Sequence, residues 1–192
     1  MKVGVIALQG AFREHREVFD ALGVDTVEVR VPEQLAALDA VVIPGGESTT
    51  ISALLDSSEL RVPLADRIAH GMPVLGTCAG MILLAREVVD GRADQRSLGA
   101  IDIAVRRNAY GRQRDSFEAP LDVDGLLGGP FPGVFIRAPR IEAVGPRVEV
   151  LARYDDHAVL AREGAVWVTS FHPELSGDLR LHERFITESE RP

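Results

Sequence analysis

The chain has 192 residues, of which 46% are hydrophobic and 26% charged, a normal composition for a soluble globular protein and a length that suits a single domain over residues 1–192. Its formal net charge of −8 argues against a nucleic-acid partner, because phosphate binding needs clustered positive charge. No stretch approaches the roughly 20 apolar residues of a membrane helix, the short opening run ended by Gln9 is a poor signal peptide, and one cysteine permits no intrachain disulfide; the expected setting is cytoplasmic, with no membrane contact.

Val3 to Leu8 is a continuous apolar run, as expected of a strand buried on both faces. Gln9-Gly10 turns the chain, and Phe12, Val18, Phe19 and Leu22 recur at helical spacing up to Gly23, a C-terminal stop. Val24 to Val31 reads as a second strand and Ala40 to Ile43 as a third, halted by Pro44-Gly45-Gly46. Helical patterns run through Ile51, Leu54 and Leu55, then through Leu64, Ile68 and Ala69, before a fourth strand at Val74-Leu75. Strands alternating with helices predict an α/β fold, a mostly parallel central sheet with helices on both faces. The second half changes to short β-type runs at Ile101–Val105, Phe135-Ile136, Val148–Leu151, Ala158–Leu160 and Val166–Thr169. These predict additional short antiparallel strands, at the sheet edge or in a small flanking sheet. Leu181 to Thr187 reads as a final helix.

Cys78 lies in Gly76-Thr77-Cys78-Ala79-Gly80, the G-x-nucleophile-x-G form of a strand-to-helix elbow. Such a turn projects the side chain above the sheet edge, and the N-terminus of the following helix favours thiolate. A buried structural cysteine is the plain alternative, but packing alone does not require the flanking glycines. Downstream, Phe171-His172-Pro173-Glu174 follows a strand. Pro173 biases His172 towards extended backbone, and residues i and i+2 of an extended segment point the same way. Glu174 is thus expected beside the His172 imidazole, leaving the other ring nitrogen for Cys78. A surface His-Pro-Glu turn is the bland alternative; the elbow cysteine tips the reading towards nucleophile, base and orienter. The other histidines, His15, His70, His157 and His182, are scattered and read mostly as solvated, and no spacing resembles a metal site. Pro44-Gly45-Gly46-Glu47-Ser48-Thr49-Thr50 lacks the lysine of a phosphate loop. Its amides suit an oxyanion, completed by the N–H of Ala79, and its minimal reading is a tight turn capped by Ser48 or Thr49. Within the basic run Arg106 to Arg114, an arginine could hold a substrate carboxylate.

These motifs, together with Ala7-Leu8-Gln9-Gly10, Arg107-Asn108 with Gly111-Arg112-Gln113, and Phe135-Ile136-Arg137-Ala138-Pro139, span the chain almost end to end. By them the chain resembles the class I, triad-type glutamine amidotransferases, and within these the glutaminase subunits of pyridoxal 5′-phosphate synthase. The resemblance implies a three-layer flavodoxin-like sandwich and hydrolysis of L-glutamine to glutamate and ammonia. Cys78 would be the nucleophile, His172 the base and Glu174 its orienter, with a thioester intermediate and neither cofactor nor metal. Gly46, Glu47, Ser48, Arg107, Ile136 and Arg137 would bind glutamine, several through backbone atoms, and the amides of Gly46 and Ala79 would form the oxyanion hole. The implied partner is a (β/α)8-barrel synthase subunit that combines the ammonia with ribose 5-phosphate and glyceraldehyde 3-phosphate, in a complex of twelve and twelve chains. The Gln9-Gly10 turn and the Pro44–Ser48 loop are expected near that docking face. Glutaminase of another amidotransferase, a cysteine peptidase on a similar sheet, and an assembly module with a vestigial site are the competing readings.

Overall fold

The computed structural model describes residues 1–91, 95–107 and 116–190. The first half is the alternating unit expected from the apolar runs: β1 (Lys2–Ile6), α1 (Phe12–Ala21), β2 (Asp25–Val29), β3 (Ala40–Ile43), α2 (Ser48–Ser57), α3 (Arg61–Ala69), β4 (Val74–Thr77) and the short α4 (Ala79–Leu84). The second half supplies β5 (Ala85–Val88), β6 (Ile101–Arg106), β7 (Ser116–Leu121), β8 (Phe131–Ile136), β9 (Arg140–Val144), β10 (Glu149–Tyr154), β11 (His157–Glu163), β12 (Val166–Thr169) and α5 (Arg180–Ser189). Seven strands form the central sheet in the order β10-β11-β12-β4-β3-β1-β2. β2, β1, β3, β4 and β12 run parallel, and β11 and β10 close one edge antiparallel. β5, β6 and β9 make a small flanking sheet, and β7 with β8 an antiparallel ribbon. Strands β5, β7 and β9 go beyond the runs expected from the sequence: β7 contains Pro120 and β9 begins just after Pro139, and proline weakens a strand signal.

Period-two alternation divides the core between the two faces of the sheet. Ile6, Val41, Ile43, Val74 and Val168 pack with Ile51, Leu55, Leu64 and Ile68 of α2 and α3. Val3, Val5, Val42, Leu75 and Trp167 pack with Phe19 of α1, Phe185 of α5 and Phe131 and Phe135 of β8. Both faces of the inner strands are therefore dry, which is why those strands read as unbroken apolar runs. No helix among the described residues is long and apolar enough to cross a membrane.

The parallel register lines up three strand ends. Gly76 pairs with Ile43 on one side of β4, and Thr77 pairs with Thr169 on the other. The segments that leave β3, β4 and β12 thus emerge at one edge of the sheet, where ligands of open α/β folds bind. Close approach there demands glycine: a Cβ on Gly80 would stand 2.0 Å from the carbonyl oxygen of Ile43. Gly80→Ala is expected to lower stability by about 1–3 kcal/mol, seen in urea unfolding as a lower midpoint at unchanged slope.

Candidate active site

Cys78 sits between β4 and α4 with φ 49° and ψ −101°, a region that non-glycine residues seldom occupy and that costs on the order of 1–3 kcal/mol. Surrounding structure fixes it. The Cys78 amide donates to the carbonyl of Thr169 at 2.8 Å, and a Cβ on Gly76 would meet Leu84 and the backbone of Gly80. The thiol is within 4.0 Å of the carbonyl oxygen of Ile136.

His172 follows β12, and its amide donates to the Val134 carbonyl of β8 at 2.8 Å. Its neighbour Phe171 is fully buried, with ring centroids 5.8 Å from Phe131 and 5.6 Å from Phe135. The ribbon β7–β8 thereby ties Ile136 and Arg137 to the same edge as His172. His172 Nδ1 lies 2.7 Å from Oε1 of Glu174. The route to that contact differs from the expected extended segment: Pro173–Leu175 is a 3-10 turn, and it folds Glu174 back under the ring. The imidazole lies against Gly45, where an added Cβ would be 2.3 Å from His172 Cε1 and 3.3 Å from Cβ of Cys78. Gly45 has no side chain because the cysteine and histidine close on it from two sides.

Burial opposes a charge on His172, but the hydrogen bonds and charges of Cys78 and Glu174 outweigh it and raise its pKa to about 10. Burial likewise opposes a charge on Glu174; facing His15 and the bond from His172 nevertheless hold its carboxyl below the ordinary range.

Cys78 and His172 open into a cavity of about 430 Å³ that Gly46, Glu47, Ser48, Arg107, Ile136 and Arg137 also line. Glu174 and Ala79 are not in its wall; Glu174 is buried behind the imidazole, and Ala79 is buried at the start of α4. Asn108 and Gly111-Arg112-Gln113 fall outside the described residues. Arg107 is pre-set, its guanidinium donating to Gln95 Oε1 at 3.0 Å and its amide to Asp90 Oδ1 at 2.8 Å, so an entering carboxylate would meet a cation already held in place. Arg137 has a positive φ of 43°, a sharp turn directly after Ile136. A larger cavity of about 540 Å³ lies between α3 and the start of β12, lined by Arg147 and Glu163 among apolar residues and glycines. It holds no thiol, hydroxyl or imidazole, whereas Cys78 and His172 line the smaller one.

The loop from Gly45 is braced by the first turn of the chain. Gln9 Oε1 accepts from the amide of Glu47 at 2.8 Å, and the carbonyl of Gly45 accepts from the amide of Ala11 at 3.0 Å. Gly10, at φ 100°, comes so close that a Cβ would stand 1.9 Å from that carbonyl oxygen. The helix cap is Glu47 rather than Ser48 or Thr49. Its carboxylate accepts from the amides of Thr49 and Thr50 at 3.2 and 2.7 Å and from both hydroxyls. The expected cap types have short polar side chains, but here the longer glutamate reaches over two threonines.

Two of the histidines read as solvated are not. His15 and His182 are fully buried, and His15 lies against Glu174 and Thr77. His15 falls on the inward stripe of α1, three and four residues before Val18 and Phe19. That spacing is the signal in the sequence that marks it as an inward residue.

An elbow cysteine at the C-terminal edge of a mostly parallel, helix-covered sheet, with an imidazole and a buried carboxylate beside it, is the arrangement expected of a glutamine amidotransferase. The model of the SNO glutamine amidotransferase family matches residues 5–191, and the chain belongs to that family. It is 55% identical over 185 residues to a protein of Frankia alni called pyridoxal 5′-phosphate synthase subunit PdxT, covering 96% of this chain and 93% of that one. It is 56% identical over 191 residues to the protein of the same name from Pelotomaculum thermopropionicum, covering 100% and 96%. A crystal structure described as a glutamine amidotransferase superposes with a TM-score of 0.93 at 48% identity, over 98% of this chain and 99% of the other. The structure of PurLQS from Thermotoga maritima, 15% identical with a TM-score of 0.69, covers 97% of this chain and 97% of the other and shares the fold.

The Glu47 cap has a pH signature. Burial works against its charge, but four hydrogen bonds lower its pKa to about 2 from the ordinary 4.5. A depressed carboxyl contributes stability above its unfolded pKa and loses it as pH falls through the folded one. Glu47→Ala is expected to cost about 0.5–2 kcal/mol at neutral pH. In urea titrations the gap between variant and parent should narrow steadily from about pH 4.5 towards pH 2.

Proposed function

We propose that this chain is the glutaminase subunit of a pyridoxal 5′-phosphate synthase, acting through Cys78, His172 and Glu174. The observation that carries the reading is the His172 ring, bonded through Nδ1 to a buried carboxylate and packed on Gly45 beside the strained Cys78. Family membership and the names of the relatives support the substrate and the assembly.

In this reading glutamine enters the cavity with its α-carboxylate towards Arg107 and its side-chain amide over Cys78. Glu47 and Ser48 contact it with backbone, because the Glu47 carboxylate is committed to the helix cap. His172 takes the thiol proton as the two side chains pair, before glutamine binds, and the sulfur then attacks the amide carbon. The amides of Gly46 and Ala79 stabilise the oxyanion. Collapse breaks the C–N bond, and the imidazolium protonates the departing nitrogen to give ammonia and a γ-glutamyl thioester. Water, deprotonated by His172, then releases glutamate and restores the thiol. The ammonia passes to a (β/α)8-barrel synthase that joins it to ribose 5-phosphate and glyceraldehyde 3-phosphate. The complex has twelve chains of each kind, with the Gln9-Gly10 turn and the Pro44–Ser48 loop near the docking face. The 192 residues act as one domain.

Glutamate release assayed with and without the barrel subunit tests this. Cys78→Ala should lose about 10³-fold or more of kcat, and retention of glutaminase would refute the role. In the free parent chain Cys78 and Glu174, acting against burial, keep His172 protonated until pH approaches about 10. The kcat/KM profile, which reports the free enzyme, is therefore expected to be flat through neutrality and to fall on the alkaline side.

A further inference from the structure

Behind Glu174 lies a pair of histidines that this chemistry does not use. His15 Nδ1 is 3.0 Å from His182 Nε2, and His15 Nε2 is 3.1 Å from Thr77 Oγ1 and 3.4 Å from Glu174 Oε2. All four side chains are buried, with His15, His182 and Thr77 fully enclosed. Glu174 Oε2 has no hydrogen-bond partner among the described residues, and neither has Nδ1 of His182. Thr77 Oγ1 accepts from the amide of Gly45 at 3.0 Å. His15 thus touches both the carboxylate that holds the base and the strand end that holds the Gly45 loop and leads into Cys78.

The hydrogen-bond inventory selects one tautomer. An ionised carboxylate only accepts, so a buried Oε2 needs a donor. With the proton on His15 Nε2, the N–H points to Thr77 and Glu174, Nδ1 accepts from His182 Nε2–H, and the remaining orphan is the Nδ1 lone pair of His182. The opposite tautomer sets a lone pair against the Glu174 carboxylate and leaves His182 with a buried N–H without partner, the rarer and costlier defect. At 3.4 Å the contact with Oε2 is long, as catalytic hydrogen bonds often are before substrate binds. Neutrality matters as much as geometry. Burial lowers the pKa of His15, with the Glu174 charge acting against it. Burial and then the neighbouring His15 lower that of His182 to about 3. A neutral donor orients Glu174 without cancelling the charge that His172 requires.

We propose that His15 is a positioning residue of the glutaminase centre, holding Glu174 and Thr77 through Nε2–H while His182 fixes its tautomer. This rests on the triad reading above. His15→Ala should lower kcat on the order of 10–100-fold, the range seen when a metal-bound histidine loses the hydrogen bond that orients it, with KM for glutamine changed less than about twofold. His15→Gln, which returns an N–H donor to the same place, should recover most of that loss. His182→Phe keeps a ring of similar size and should cost part of it. In the free full-length chain, ¹⁵N-histidine NMR at neutral pH and above should find His15 and His182 as neutral Nε2–H tautomers. The downfield proton shared by His172 and Glu174 should shift in His15→Ala. Circular dichroism melts identify any variant that fails to fold, and in that event the NMR tautomers and the two conservative variants decide. Folded His15→Ala with parental kcat, equal losses in the Ala and Gln variants, or an Nδ1–H or protonated His15 in the parent would each overturn the proposal. If Cys78→Ala abolishes activity while His15→Ala keeps it, this inference alone fails; if Cys78→Ala stays active, the triad reading itself fails.

Discussion

The site depends on the register of three parallel strands. Because β4 pairs with β3 at Ile43–Gly76 and with β12 at Thr77–Thr169, the segments after these strands meet at one sheet edge. Cys78, His172 and Gly45 come from widely separated parts of the sequence, yet a single hypothetical methyl group on Gly45 would touch both of the others. A slip of one residue in either pairing would turn every side chain of the displaced strand to the opposite face and part the imidazole from the sulfur. The dry, two-faced core prevents such slips, since each inner strand places alternate residues into two distinct apolar layers.

Polar groups at this edge are stacked in depth rather than spread over the surface. Cys78 and His172 face the cavity, Glu174 lies behind His172, and His15 and His182 lie behind Glu174. Each layer restricts the one in front. In the proposed chemistry the outermost pair moves protons, while burial disfavours charge on the two deeper histidines. A second scaffold serves the glycine loop: Gln9 and Ala11 clamp its backbone, and Glu47 caps the helix that follows it.

Much of this is legible in the sequence because it follows from local rules. Unbroken apolar runs mark the inner parallel strands, and glycines on both sides of Cys78 mark the elbow. What stays hidden depends on tertiary partners. β7 and β9 lie next to or contain proline and are strands because of what they pair with. Glu174 reaches His172 through a 3-10 turn and not through extended backbone, so the expected neighbours meet for a different local reason. A glutamate cap over two threonines departs from the usual preference for short side chains. His15 and His182 look like surface residues on charged helices, Arg13-Glu14-His15-Arg16 and His182-Glu183-Arg184. Only their phase against Phe19 and Phe185 places them inside.

The most direct test of the central claim is mass spectrometry of the chain after acid quenching during glutamine turnover with the proposed synthase partner. The account predicts a γ-glutamyl adduct confined to the peptide containing Cys78, present during turnover and gone when glutamine is exhausted. Sustained glutamate release with Cys78 unmodified at every quench time, or with the adduct on another residue, would contradict it.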